Sequence, residues 1–431
     1  MRTLALAILV PALAAAQTAA KDRAVVMISL DGFPAYALED PASPIPTLRS
    51  LIASGVSARM TTVNPTVTWP NHTTLVTGVR ADEHGLLVNG TITATGAWPP
   101  VKVEPMIEKT RMVHARTVYD AAHDAGLTTA QVDWVAINQA PTITWAFTEW
   151  ADPKGAVEQE MIRNGEVSAA DVANFTKLNI LYRDQVWTKA AAHLIREHKP
   201  NLLLVHFLSL DSTHHTYGPK TLAANGAIAF LDGCVAQIVA AVREAGMLDR
   251  TTFFIVADHG FKAYTKEIHA AVALKAAGLE GKAHVLNEGG SALVYLEKSE
   301  RDTLLPRAEK ALEAVDGVDR VIGRDGFRFL SLPLPERDPQ MADLVVTAKR
   351  DYSFSGATGG PVTAAAKQTG GSHGYLASDP EMDAILIASG YGIARVAKLE
   401  RIANVDVAPT IARLLGVALP NAKGKALPIL R

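Results

Sequence analysis

Short apolar runs recur along the chain, and several of them close on an acidic residue. AVVMISL at 24–30 ends at Asp31, LLLVHFLSL at 202–210 ends at Asp211, and TFFIVA at 252–257 ends at the pair Asp258-His259. Runs of this length and branching read as strands of a parallel sheet buried on both faces. Between them the period changes to that of helices: near Ile45 to Ser54, from about Thr68 and Asn71, over 114–125, over 180–198 and over 221–246. Further strands are expected in LTTAQVDW, over 201–208 and in MDAILIASG. The segment NVDVAPTIARLLG reads as a helix opened by Asp406, whose carboxylate is suited to cap free amides. Such alternation predicts an α/β fold, with a mostly parallel sheet sandwiched between helices.

From 262 to 361 the rhythm breaks. SALVYL and FRFLSL read as strands, residues from Leu305 to Val315 read as a helix, and the glycine-rich SFSGATGG follows. The expected organisation is a core made of 21–261 and 362–431, interrupted by a smaller α+β cap at 262–361. Open α/β sheets bind ligands at the carboxyl ends of their strands, so the three acidic strand ends are expected to meet.

Composition fits a large enzyme core: 431 residues, 48% of them hydrophobic. A net charge of −2 offers no basic face for nucleic acid. Residues 1–20 combine Arg2, a short apolar stretch and Ala-x-Ala options ending at Ala14 or Ala16, the pattern of a secretory signal peptide. Its apolar core is too short to span a membrane, and the sequence offers no second candidate span. A mature chain beginning between Gln17 and Lys21 is expected, in a periplasmic or secreted location. The single cysteine, Cys234, cannot form an internal disulfide and falls in an amphipathic helical stretch, which makes it a core residue.

His215 lies four residues after Asp211, and His373 stands in GGSHGY far downstream. With Asp31, Asp258 and His259 they make three carboxylates and three imidazoles, enough ligands for two zinc ions. In NPTVTWPNHTTLVTG, Thr68 sits at a loop-to-helix junction where backbone amides favour an anionic phosphoryl group. A threonine hydroxyl attacks phosphorus only when a base or a metal favours its alkoxide. Read alone, Thr68 could equally cap the helix.

Together LDG at 30–32, TWPNH at 68–72 with LVTG at 75–78, the Asp211-to-His215 spacing followed by YGP, ADHG at 257–260 and HGY at 373–375 resemble the nucleotide pyrophosphatase/phosphodiesterase family of the alkaline phosphatase superfamily. The resemblance implies an alkaline-phosphatase-like fold and a two-zinc phosphodiesterase or nucleotide pyrophosphatase acting through a covalent phosphothreonine. It places Asp31, Thr68, Asp258 and His259 on one zinc and Asp211, His215 and His373 on the other. It gives Asn71, with a backbone amide near Thr68, the role of holding the nonbridging phosphoryl oxygen. By the same pattern His215 is preferred to His214 as a ligand; His206 reads as a satisfied core histidine, and His72 and His84 as supporting groups.

Efficient monoesterases usually bring a cation to the extra phosphoryl charge. Residues 117–153 contain no Lys or Arg but carry Trp134, Trp145, Phe147 and Trp150, either an apolar wall for a nucleobase or another flat group, or simply cap core. Trp69, beside Thr68, is the best candidate platform for a small phosphodiester or nucleotide substrate. A phosphate monoesterase or phosphonoacetate-type hydrolase of the same superfamily is the first alternative. A phosphoryl or headgroup transferase is the second, and a noncatalytic zinc-binding protein the third.

Overall fold

The computed structural model describes residues 19–395 and 399–431, so the expected signal segment at 1–20 falls outside the described residues except for its last two. Its centre is an eight-stranded sheet formed by β1 (Ala24–Leu30), β2 (Val56–Thr61), β3 (Thr129–Val132), β4 (Trp145–Phe147), β5 (Leu202–Phe207), β6 (Thr251–Val256), β7 (Ala384–Gly390) and β8 (Arg401–Ala403). The spatial order is β8-β2-β7-β6-β1-β5-β3-β4. Every pairing is parallel except those of β7, which runs against both β2 and β6. β1 lies between β5 and β6, with Val26 opposite Leu203 on one side and Phe253 on the other. All residues of β1, β5 and β6 are buried, as continuous apolar strands between two helical layers must be.

One layer packs helices Pro46–Ser54, Ile180–His193, Ser209–Tyr217 and Leu222–Glu244; the other packs Thr68–Thr77, Val118–Asp124 and Val407–Leu415. Leu222–Glu244 is the one helix among the described residues long and apolar enough to cross a membrane. Ile228, Leu231, Cys234, Val235 and Ile238 on it are buried in the main core instead. Asp232 on the same helix accepts hydrogen bonds from Thr47 N and Leu48 N, at 3.0 and 2.9 Å, and so caps the neighbouring helix Pro46–Ser54.

Past residue 262 the chain builds a four-stranded antiparallel sheet from Ala283–Asn287, Ser291–Leu296, Val318–Ile322 and Leu344–Ala348. It has an apolar cluster of its own, including Leu274, Val294, Leu304, Leu312 and Val346. A separate three-stranded sheet carries the chain out and back: Lys262–Ile268 lies between Asp351–Phe354 and the returning Thr363–Ser372.

Several local expectations fail. FRFLSL is not a strand: Arg324–Phe327 forms a helical turn that tightens over Arg328–Leu330, with Phe327 buried and Phe329 75% exposed. Leu332 N–H donating to Phe327 O closes that turn. Asp406 precedes Val407–Leu415 but makes no side-chain cap to it; its carboxylate accepts from Ala403 N and Lys425 N. The helix expected over 114–125 starts only at Val118, behind a Thr117–Asp120 capping box.

Candidate active site

Asp31 leaves the carboxyl end of β1 with its amide donated to Phe207 O of the adjacent strand, at 3.0 Å. The chain then turns at Gly32, where φ is +67° and a Cβ would stand 2.8 Å from the Phe261 ring; only glycine fits. Gly32 N–H donates to Asp258 Oδ1 at 3.1 Å, fastening the β1 and β6 ends together. After β5, helix Ser209–Tyr217 is anchored by Asp184, which accepts from Leu208 N and Ser209 N. This helix carries Asp211 in its first turn and His215 one turn later. His373 arrives at the end of the returning strand Thr363–Ser372, followed by Gly374 at φ +80°, where a Cβ would strike Glu288 O.

The six residues form two triads. Asp31, Asp258 and His259 make one and Asp211, His215 and His373 the other, each with ligand-type atoms within 4.8 Å of one another. His259 Nε2 lies 3.4 Å from Asp31 Oδ1 and 3.2 Å from Asp258 Oδ2. Asp211 Oδ1 lies 3.4 Å from His215 Nε2 and 3.9 Å from His373 Nε2. The His259 and His373 rings stack across the two groups, 3.8 Å between centroids and 13° from parallel.

In all three histidines Nδ1 faces a backbone carbonyl: Gly260 O for His259, Gly371 O for His215 and Thr66 O for His373. An Nδ1–H donated there leaves the Nε2 lone pair for a cation. Asp31 Oδ1, Asp211 Oδ1, Asp258 Oδ2 and His259 Nε2 are buried with no hydrogen-bond partner. Each such orphan costs on the order of 1–3 kcal/mol, so the donor set fits divalent cations that would satisfy all four. Burial and the neighbouring Asp258 and Asp211 push the Asp31 carboxyl well above its usual range. Burial would also raise Asp211, but His215 and His373 outweigh it and hold that carboxyl below the usual range. Burial lowers His259 to about 4 and His373 to about 3, keeping both neutral and able to coordinate.

Thr68 is the first residue of helix Thr68–Thr77, with Val67 in the flanking position, so its hydroxyl is not a cap. Together with Asp31, Trp69, Asn89, Glu149, Trp150, Asp211, His215 and His373 it lines a cleft of about 300 Å³. His72 supports this helix from behind, with Nδ1 on Thr68 O and Nε2 on Ser29 Oγ. His84 bonds Thr74 Oγ1 and is buried outside the cleft. His214 is buried against the Phe261 ring, which leaves His215 as the imidazole facing Asp211.

Asn71 does not face the cleft. It is fully buried, its Nδ2 donates to Val63 O, Pro65 O and Val67 O, and its Oδ1 accepts from Val63 N and Asn404 Nδ2. Three residues along the helix turn it into the loop that precedes Thr68, where it braces backbone. The asparagine in the cleft is Asn89, whose Oδ1 accepts from Trp69 N at 3.0 Å, leaving its NH2 to donate. Its sequence context, LLVNG, carried no signal except a turn-type Asn-Gly pair.

The aromatic residues divide. Trp134, Trp150 and Trp69 line a cavity of about 350 Å³ that shares Trp69, Pro105, Val135, Glu149 and Trp150 with the cleft. Phe147 is core against Phe175, and Trp145 stacks on His198 outside both cavities.

Residues 25–376 match the family model described as type I phosphodiesterase/nucleotide pyrophosphatase. The chain is 21% identical over 410 residues to bovine (Bos taurus) ectonucleotide pyrophosphatase/phosphodiesterase family member 3, covering 91% of this chain and 42% of that protein. It is 23% identical over 413 residues to human (Homo sapiens) family member 7, covering 94% and 82%. The chain thus spans less than half the length of the bovine relative. In structure it resembles murine ectonucleotide pyrophosphatase/phosphodiesterase 5, with a TM-score of 0.73 at 17% identity over 94% of this chain and 98% of that one. That murine protein is also known as an inactive threonine-to-alanine variant in complex with AMP. The fold is therefore alkaline-phosphatase-like, and the chain belongs to the type I phosphodiesterase/nucleotide pyrophosphatase family.

Proposed function

We propose that the chain is a two-zinc phosphodiesterase or nucleotide pyrophosphatase that forms a covalent phosphothreonine on Thr68. The observation that supports this reading is that Thr68 lines one cleft with Asp31 of the first triad and with Asp211, His215 and His373 of the second, while buried donor atoms of both triads lack partners. Asp31, Asp258 and His259 would hold one zinc beside Thr68, and Asp211, His215 and His373 the other. Two cations there would favour ionisation of the hydroxyl and offset charge on the attacking and departing oxygens.

Thr68 gives its hydroxyl proton to water and attacks phosphorus in line, and the Asn89 amide holds a nonbridging oxygen. The P–O bond to the leaving alcohol or phosphate breaks on the Asp211 side, that oxygen taking a proton from water. Water then enters from that side and returns the threonine, so configuration at phosphorus is retained. A diester is favoured over a monoester because no Lys or Arg lines the cleft among the described residues. Glu149 lines it instead, and a carboxylate there opposes a dianionic phosphoryl group. The Trp69–Trp134–Trp150 cavity suits a nucleobase or another flat apolar group, in keeping with the AMP complex of the murine neighbour. Residues 262–361 would form a cap, and export to the periplasm or exterior fits both the amino-terminal pattern and the ecto-enzyme names of the relatives.

The test pairs bis(para-nitrophenyl) phosphate with para-nitrophenyl phosphate on zinc-loaded protein. Preference for the diester, abolished in Thr68→Ala with zinc content intact, is expected. Strong monoester preference would turn the reading to a monoesterase, and product carrying an added alcohol to a transferase.

A further inference from the structure

Helix Ile180–His193 does not stop at its last α-helical residue but continues as a π-helical turn over Leu194–His198, closed by Lys199 N–H donating to Leu194 O at 3.0 Å. In an α-helix, residues five apart point about 140° away from each other. The wider turn brings His193 and His198 to one side, where both Nε2 atoms face a single oxygen, Glu160 Oε2, at 3.1 and 2.7 Å. Glu160 comes from another helix, Ala156–Arg163. The three ligand-type atoms lie within 4.8 Å of one another.

The surroundings are those of a built site. His193 is fully buried, and its Nδ1 stands 3.0 Å from Glu166 Oε2, yet neither atom has an aligned hydrogen-bond partner. A carboxylate behind the second nitrogen is the arrangement that orients a metal-bound imidazole. Arg196 lies 3.6 Å from the other oxygen of Glu166 and offsets its charge. The ring of His198 is stacked on Trp145, 3.7 Å between centroids, which holds its orientation.

We propose that Glu160, His193 and His198 bind a divalent cation of the zinc type, separate from the Thr68 cleft. Two imidazoles and one carboxylate suit zinc, nickel or copper and are a poor set for magnesium or calcium, which prefer oxygen ligands. Strand β5 separates His198 from Asp211, placing this site roughly 20 Å away at the opposite end of the sheet. Neither the Thr68 cleft nor the tryptophan-lined cavity beside it includes these three residues, and His193 is fully buried, so the cation would be structural. It would clip helix Ala156–Arg163 to the end of Ile180–His193, beneath edge strand β4, which carries Trp145.

The experiment titrates metal-stripped protein with zinc alone at neutral pH, then counts bound zinc per chain after desalting, for wild type, His198→Ala and Glu160→Gln. Each variant is expected to hold one zinc fewer than wild type, to hydrolyse substrate within about twofold of wild type at saturating zinc, and to gain less thermal stability from zinc. Equal zinc content in wild type and both variants would overturn the proposal and leave a hydrogen-bonded His–Glu–His network. If His198→Ala does not fold, the count in the near-isosteric Glu160→Gln decides alone. Because the readout is a difference between variants, it does not depend on how many ions the Thr68 cleft holds.

Discussion

His206 Nε2 stands 3.0 Å from Asp31 Oδ2, while Nδ1 of the same ring stands 3.2 Å from Asp133 Oδ2. The imidazole thus joins two buried carboxylates and fixes which Asp31 oxygen, Oδ1, is left towards His259. Replacement by Gln or Ala frees the Asp31 carboxylate to rotate. The expected outcome is about 10- to 100-fold weaker zinc affinity, with activity restored by excess zinc, read from turnover against free zinc concentration.

The two asparagines separate stability from catalysis. Asn71→Ala breaks a fully buried network and is expected to cost at least about 1–3 kcal/mol, read from denaturant unfolding. Asn89→Ala leaves that network intact and is expected to lower kcat by about 10²- to 10³-fold, the usual effect of removing one donor to a charged transition-state oxygen, with little change in unfolding midpoint.

In the proposed zinc site, Asp258→Asn removes a charge that faces His259, so both zinc content and turnover are expected to fall. Full activity in this variant would contradict the assignment. Chelation of the wild type is expected to abolish turnover and to lower the thermal midpoint, because the carboxylates of Asp31, Asp211 and Asp258 then repel one another unscreened. Zinc restores both.

Burial lifts Glu288 from the ordinary 4.5 to about 8. The folded state therefore keeps the proton while the unfolded chain gives it up. The contribution of this group is fully present below pH 4.5 and is lost as pH rises to about 8. Glu288→Gln has no such loss, so its stability relative to wild type is expected to improve by about 1–3 kcal/mol between pH 5 and pH 8.5, measured by urea unfolding at the two values.

The strands behind Asp31, Asp211 and Asp258 were legible because parallel strands buried on both faces leave continuous apolar runs. β2 was missed: in VSARMT only alternate residues are buried, and Arg59 reaches out to Glu39 and Asp383. FRFLSL shows the opposite error, a strand-like alternation that folds back into a helical turn. The triads were readable as residue types and spacings. Asn71 was misread because nearness to Thr68 along the chain says nothing of the side of the helix it occupies. Asn89 was hidden because it lies 20 residues beyond Trp69, along a path of helix and loop that brings it back. The partnership of His206 with Asp133 was equally hidden, since their strands become neighbours only in the folded sheet.

His373 rides on the strand that returns from the excursion begun at Lys262, and its ring lies flat against that of His259. The second triad therefore remains one donor short throughout synthesis until that excursion has been completed and its return strand has docked. Assembly is ordered by connectivity: the Asp31 group can gather early, while the Asp211 group waits for the latest-made ligand, so a chain ending before residue 373 would lack both that ligand and β7, the strand that joins β2 to β6.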